Sequence, residues 1–440
     1  HIRGIRRLER SDHLILDATT QRNLELVRPL REGAKPGALL DVINRARTAP
    51  GGRMLKAWLL RPLGRLAPIQ ARQQAVAELQ ADALLRTELR ELLSGMADLE
   101  RIMARVTTAR ANARDLVALA ASARLLPGLV QLAGNLSAPL LVEHAAHIDC
   151  LADLEATISK TLQDEPPPQV REGRMIRDGF HEELDELRSV AHGGKDWIAR
   201  FQTAEQERTG IPSLKVSFNK VFGYYIEITK THKDKVPDDY ERKQTLVNAE
   251  RYITPQLKEY ESRVLGAEER IVELEYQLFV DLRETVGGEV ERVQAVARSL
   301  AALDCLASLA EVAAERHYVM PEVHEGLATR IEAGRHSVLE ALLPPGEFVA
   351  NDTILDPAES RLLIITGPNM AGKSTYIRQT ALITVLAHMG SAVPATSAIV
   401  GLTDRIFTRV GAADDLARGQ STFMVEMTET ANILNNATER

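Results

Sequence analysis

The stretch "LLIITGPNMAGKSTYIRQTALI", Leu362 to Ile383, decides how the rest of this 440-residue chain is read. Within it, Gly367 to Ser374 satisfies the spacing G-x-x-x-x-G-K-[ST]. The two glycines let the backbone curl so that successive N–H groups face inward, towards phosphate oxygens. The apolar, β-branched run "RLLIIT" before the loop reads as a short buried parallel strand. A helix is expected from Lys373 to about His388, with its positive dipole end facing the same anion. Lys373 is then placed to bridge the β- and γ-phosphates of a nucleotide, and the Ser374 hydroxyl to hold Mg²⁺. The candidate phosphate-binding residues are Gly367, Pro368, Asn369, Met370, Ala371, Gly372, Lys373, Ser374 and Thr375.

Around this loop the pattern is α/β from about Pro321 onward. "DRIFTRV" reads as another strand and Ser421 to Ala437 as another helix. The rest of the chain reads as mostly helix. Hydrophobic residues make up 45%, charged residues 26% and aromatics 4%, ordinary values for a soluble globular protein. The length predicts about two to four domains. No unbroken apolar run reaches the roughly 18 residues of a membrane span, so no membrane partner is expected. The first residues, His1 to Arg7, have neither an initiator Met nor an apolar signal core, so a fragment or processed chain is expected rather than a signal peptide. Cys150 and Cys305 lie in apolar helical contexts and read as packing residues of a reducing compartment.

The net charge of −7 excludes a protein that is basic throughout. One segment departs from it. Lys215 to Lys258 carries nine Lys or Arg against six Asp or Glu, and seven of the twelve lysines of the chain. It also holds six of the eighteen aromatics, Phe218, Phe222, Tyr224, Tyr225, Tyr240 and Tyr252, which read as the small core of this piece. Here the period changes from 3.6 to 2: "LKVSF" and "YYIEI" alternate as strands around a turn at Asn219 to Gly223, with further strand-like pieces near Gln244 and Arg251.

Two long helical patterns flank it. Met175 to about Thr209 carries a stripe of Ile176, Phe180, Leu184, Leu187 and Val190, with a kink expected at Gly193-Gly194. Pro255 to Val286 carries another, of Leu257, Tyr260, Val264, Ile271, Leu274, Leu278 and Leu282. At 1.5 Å per residue each reaches roughly 50 Å. The reading is a β-rich, basic tip held out on two antiparallel arms. Upstream, "MADLERIMARV" and "GGRMLKAWLLRPL" show the same helical spacing, and Pro62 closes the latter.

"TGPNMAGKSTYIRQTALI" followed by "DRIFTRVGAADDLARGQSTFMVEMTETANILNNAT" resembles the ATPase domain of the MutS family, the DNA mismatch recognition proteins. The resemblance extends through "KVFGYYIEIT", "RKQTLVNAERYITPQLKEYE", "GRHSVLE" and "DATTQRNLEL", and so covers essentially the whole chain. It implies that Ser421 and Thr422 belong to a signature segment facing the γ-phosphate of a second subunit; Ser421 also suits a plain helix N-cap. It implies adenine stacking by Phe348, for which core packing is the alternative. It implies that Lys220, Lys230, Lys233, Lys235, Arg242 and Lys243 touch the backbone of double-stranded DNA, each being otherwise a solvated surface charge. By the same resemblance the partners are mismatched DNA, a second copy joined through the ATPase domains, and a MutL-type repair protein, in a bacterial cytoplasm near the nucleoid. Phe180-His181-Glu182 has the F-x-E form of the family's mismatch wedge, but its position in a helical stripe reads as packing.

The expected fold is multidomain and mainly α: a helical core (1–174), a lever helix (175–210), a β-rich basic clamp (211–256), a returning lever helix with core (257–320), and the first part of an α/β P-loop ATPase domain of ABC type (321–440). Hydrolysis in this class uses an apolar strand ending in Asp-Glu. No such strand follows Lys373, so no catalytic residue is assigned and efficient hydrolysis by this stretch alone is not expected. The alternative function is a chromosome-maintenance or break-repair ATPase of ABC type with a coiled arm. Against it, the arms here precede the phosphate loop. The absence of an N-K-x-D motif disfavours a GTPase.

Overall fold

A helix that is apolar on every side is stable only when protein surrounds it, and Val290–Glu315 is such a helix: every residue from Ser299 to Ala310 is buried. In the computed structural model, which describes residues 12–30, 37–219, 223–344, 346–368, 371–409 and 422–438, this helix forms the spine of one of two compact units. That unit comprises His1–Arg101, Ala121–Leu151 and Glu291–Arg440; the other comprises Ile102–Ala120 and Ala152–Val290.

Two buried polar residues on the spine, Asp304 and Ser308, have partners. Asp304, fully buried, accepts the N–H groups of Arg47 and Thr48 at 2.9 and 2.8 Å and the Thr48 hydroxyl at 2.6 Å. Thr48 in turn caps the helix Ala49–Leu60 by accepting from the Gly51 N–H. Only glycine fits at residue 51, because a Cβ there would lie 2.2 Å from a carboxylate oxygen of Asp304. One turn on, Ser308 accepts from the Arg45 N–H and donates to the Ile43 carbonyl. Cys305 is buried among these residues and burial pushes its thiol pKa up; both cysteines are free. By mean hydropathy, 113–133 and Val290–Glu315 are long and apolar enough to cross a membrane, but most of the latter is buried inside the protein, as a core helix is.

The same unit holds a four-stranded sheet in the order Glu322–His324, Ser397–Gly401, Thr329–Gly334, Asn351–Leu355. The first pair is parallel and the other two are antiparallel. Val323, Ile331, Ala398 and Val400 are buried. Lys373–His388 is helical over the span expected, and Leu382 to His388 are all buried. Among the described residues of "DRIFTRV", Arg405–Ile406 is strand, and it pairs in parallel with Ile15–Leu16. The Thr408 N–H donates to the Thr20 hydroxyl, and Asn23 donates to the Thr408 carbonyl. The quoted "DATTQRNLEL" is thereby tied to the C-terminal α/β part.

"RLLIIT" is not a strand. Residues 361–368 form no ladder, and Leu362 and Ile364 are 79% and 82% exposed. A parallel strand is buried by neighbours on both sides and helices on both faces, and among the described residues no strand pairs with this one.

The second unit is organised by Pro255–Gly288, a helix of 34 residues. Thr254 caps it by accepting from the Leu257 N–H, and Pro255 opens it with a preset φ. Leu257, Tyr260, Val264, Ala267, Leu274, Phe279, Leu282 and Val286 are buried at the spacing of one face. Glu275, also fully buried, accepts the Met175 N–H at 2.8 Å and the Arg188 guanidinium at 2.6 Å. This explains why the upstream helix starts later than its stripe suggests. Residues 175–177 are held extended by Glu275, by a bridge between Leu162 and Ile176, and by the Thr161 carbonyl. Helix runs only over Glu182–His192 and Gly194–Thr209, interrupted at Gly193. Phe180 therefore lies in a turn after Gly179 (φ +80°) and not within a helix.

Four antiparallel strands follow in the order Lys215–Asn219, Gly223–Thr229, Ala249–Ile253, Glu241–Thr245. Their core is Ile226, Ile228, Tyr240 and Tyr252 with Leu214, Leu257 and Phe201. Trp197 stacks on Tyr260 with ring centres 3.7 Å apart. The aromatics of this segment thus mostly pack inward; Phe218 is half exposed, and Phe222 lies outside the described residues.

Candidate nucleotide and nucleic-acid sites

Two groups of sequence-predicted residues come together, one in each unit. In the first, Gly367 and Gly372 take φ values of +151° and +87°, which side chains disfavour, and Gly372 is the N-cap of Lys373–His388 with no side chain capping it. The start of that helix therefore presents its backbone N–H groups and dipole without an internal anion. The Lys373 ammonium folds back onto the carbonyls of Gly367 and Pro368, at 2.6 Å each. Ser374 is exposed on the first turn and Thr375 half-buried. Asn369 and Met370 lie outside the described residues.

Lys373, Gly372 and Thr375 line one end of a cavity of about 570 Å³, and Phe348, Asn351 and Tyr376 line more of it. Phe348 is half-buried on this wall, so the residue named for adenine stacking and the lysine named for phosphate share one space. Tyr376 was not singled out in the sequence, although three residues after Lys373 a helix returns to the same face. Its hydroxyl donates to the Asp352 carbonyl at 3.0 Å, which fixes the ring. Asn351 donates its amide to the Val349 carbonyl. The donor set fits a phosphate ester: an ammonium held by carbonyls among the described residues, a hydroxyl, and a helix start. Among the described residues no carboxylate lines the cavity, and no group of three His, Cys, Asp or Glu could hold a metal ion. Another cavity, of about 550 Å³, is lined by Glu88, Leu92, Gly95, Leu125 and Leu132 and offers two carboxylates in place of cations.

Two buried rings lie along the phosphate-loop helix. Burial, then the nearby Arg378, pushes the His336 ring pKa down to about 4. Burial does the same in direction to His388, whose Nδ1 meets the Leu63 carbonyl at 2.7 Å. Both are neutral in the folded protein at pH 7. Thr422 opens the helix Thr422–Asn436; Ser421 lies outside the described residues.

In the second unit, Lys230, Lys233 and Lys235 follow one another on the short 3-10 segment Lys230–Lys235, and all are exposed or nearly so. Arg242 and Lys243 sit on the strand Glu241–Thr245, with Lys243 at the irregularity between Arg242 and Gln244. Lys243 pairs with Glu241 at 2.7 Å. Lys233 and Arg242 both approach Glu250, an acid the sequence reading passed over. The Tyr252 hydroxyl, followed by Lys233 and Arg242, holds the Glu250 carboxyl below the usual carboxylate range. Burial, then Glu250, pushes Tyr252 up to about 12. Arg251 is used internally, on Glu227 at 3.1 Å and over the Tyr225 ring. Lys220 lies outside the described residues.

The description of MutS domain III matches residues 19–310, and that of MutS domain V matches 363–440. The chain belongs to the MutS family. Over all of its length it is 52% identical to the DNA mismatch repair protein MutS of Acetivibrio thermocellus and to that of Symbiobacterium thermophilum, and 51% identical to that of Salinibacter ruber. It covers 51%, 50% and 49% of those proteins, so it spans about half the length of the curated MutS relatives it matches. The alternative, a chromosome-maintenance or break-repair ATPase of ABC type with a coiled arm, is not favoured by these matches.

Proposed function

We propose that this stretch of a MutS protein works in DNA mismatch repair, supplying an ATP phosphate cradle and a clamp for the DNA backbone. The observation that carries the reading is the pairing, in one cavity, of Lys373 at an uncapped helix start with Phe348 on the wall. Phosphates would lie on Gly367 to Thr375, adenine on Phe348, and Mg²⁺ beside Ser374. DNA would meet Lys230, Lys233, Lys235 and Arg242, with Lys220 and Lys243 as further candidates. The division into core (1–174), lever (175–210), clamp (211–256), returning lever (257–320) and ATPase part (321–440) belongs to the same proposal. So do ATPase activity in the longer protein, pairing of two copies with Ser421 and Thr422 facing the partner's γ-phosphate, and a MutL-type partner. Hydrolysis in this class uses an apolar strand ending in Asp-Glu, which does not follow Lys373 in this stretch, so binding without efficient turnover is proposed for it.

The test is a titration of a fluorescent ATP analogue with Mg²⁺ against this chain and Lys373→Ala. Saturable binding lost on substitution supports the cradle. Equal binding by both chains would reject it.

A further inference from the structure

Glu250 lies on an inner strand of the tip sheet, and its side chain is 5% exposed. The Tyr252 hydroxyl donates to one carboxylate oxygen at 2.5 Å. The other, Oε1, faces two cations: Lys233 at 3.9 Å from the 3-10 segment and Arg242 at 3.8 Å from the edge strand. These are ion-pair distances, too long for hydrogen bonds. Both cationic side chains also remain more than half exposed, at 60% and 57%. Two solvent-facing cations from separate pieces of chain therefore converge on one buried oxygen.

To those cations a fixed carboxylate oxygen offers what a backbone phosphate oxygen offers. We propose that Glu250 is an internal competitor for DNA phosphate: it partners Lys233 and Arg242 in the free protein and shares their charge when DNA binds, so that it sets the strength and the salt sensitivity of the grip. The proposal rests on the DNA reading of the tip. Its physical content is a charge count. Each protein cation that fully neutralises a phosphate displaces about 0.9 of a condensed counterion. Two cations that share one internal carboxylate act as about one. Glu250 would thus be a positioning residue for the grip, acting through its two cations without touching DNA.

The experiment is a fluorescence anisotropy titration of a labelled duplex with the full chain, from about 50 to 200 mM salt, where log K falls linearly with log salt. Glu250→Gln keeps the shape and can still accept from Tyr252. It is expected to bind about 3- to 10-fold tighter at the low-salt end, with a slope steeper by about one. Tyr252→Phe keeps the carboxylate and is expected to bind as wild type does. Lys233→Gln with Arg242→Gln tests the same count without touching Glu250, and its slope is expected to be shallower by about one. Unchanged or weaker binding by Glu250→Gln overturns the proposal. So does an equal gain by Tyr252→Phe, which would trace the effect to a loosened tip, or a slope change of about two in the double variant. Absence of DNA binding by the wild type at low salt would overturn the DNA reading and this proposal with it; wild-type binding without the Glu250→Gln gain overturns this proposal alone.

Discussion

At the phosphate loop one ammonium, Lys373, stands at a helix start on the wall of a cavity of about 570 Å³. At the tip, Lys230, Lys233, Lys235, Arg242 and Lys243 stand on exposed surface, and one buried carboxylate lies among them. The first arrangement concentrates its effect in geometry and one charge, on the wall of an open cavity. The second spreads its effect over charges that water and salt can screen. The buried ionisable groups differ in kind as well. Behind the loop, His336 and His388 are kept neutral; in the tip, Glu250 is kept charged. Two anion sites in one chain should therefore answer differently to acid, to salt and to single substitutions.

Acid should separate them most. Burial makes the His336 and His388 rings less basic than free histidine, so the unfolded chain takes up protons first. For His336 the stability is full above about 6.5 and is lost as pH falls towards about 4, by roughly tenfold in the folding constant per pH unit. Glu250, with its carboxyl held low, loses its contribution only as pH falls below the ordinary carboxylate range. Trp58 reports on the first unit and Trp197 on the second. In single-tryptophan chains at pH 7 and pH 4.5, urea unfolding seen by Trp58 should move to lower denaturant much further than that seen by Trp197. Equal movement of both would break the contrast.

Salt should act the other way. An effective charge of about three to four at the tip gives a fall in DNA affinity of roughly 40- to 150-fold between 50 and 200 mM salt. Binding of an ATP analogue at the loop, which rests on geometry and one cation, should change far less over that range, and a matching fall would mean that the loop too binds mainly through screened charge. Next in size is Lys373→Ala. Losing a charge-assisted contact of roughly 2 kcal/mol weakens analogue binding by about 30-fold. DNA affinity at low salt should stay as it was, and a parallel loss would show that the two sites are not separable. Phe348→Ala should cost less, about fivefold to tenfold, as removal of one aromatic stack does. An unchanged affinity would return Phe348 to a packing role.

What could be read in the sequence follows from where the controlling partners lie. The stripe of Pro255–Gly288 and the alternation of "LKVSF" and "YYIEI" are local, and those elements stand where the periods place them. The phosphate loop is local too, down to its glycines. The misreadings all depend on distant groups. Met175 and Ile176 lie where a helical pattern begins but are held extended, Met175 by Glu275 one hundred residues away and Ile176 by its bridge to Leu162. "RLLIIT" has the composition of a buried strand, but strands are made by neighbours, and none pairs with it among the described residues. Asp304 and Glu250 were invisible for the same reason. An acid in an apolar helix or among lysines has no pattern of its own, and its meaning comes from Thr48 or from Arg242. Tyr376 could have been found by counting one helical turn from Lys373.

The smallest effect tests the tip against itself. Lys235 and Lys243 are both near Glu or Asp residues in sequence and look alike there, yet Lys243 is paired with Glu241 at 2.7 Å while no ion pair holds Lys235 among the described residues. An exposed pair such as Lys243–Glu241 is worth little to stability, but it still neutralises the cation locally. Lys235→Ala should therefore weaken DNA binding about threefold and make the salt slope shallower by about one, whereas Lys243→Ala should change either quantity by less than half as much. Equal effects would mean that Lys243 leaves Glu241 on binding. The Glu241→Gln chain would then decide the matter, because freeing a lysine that already lets go of its partner adds nothing to the slope.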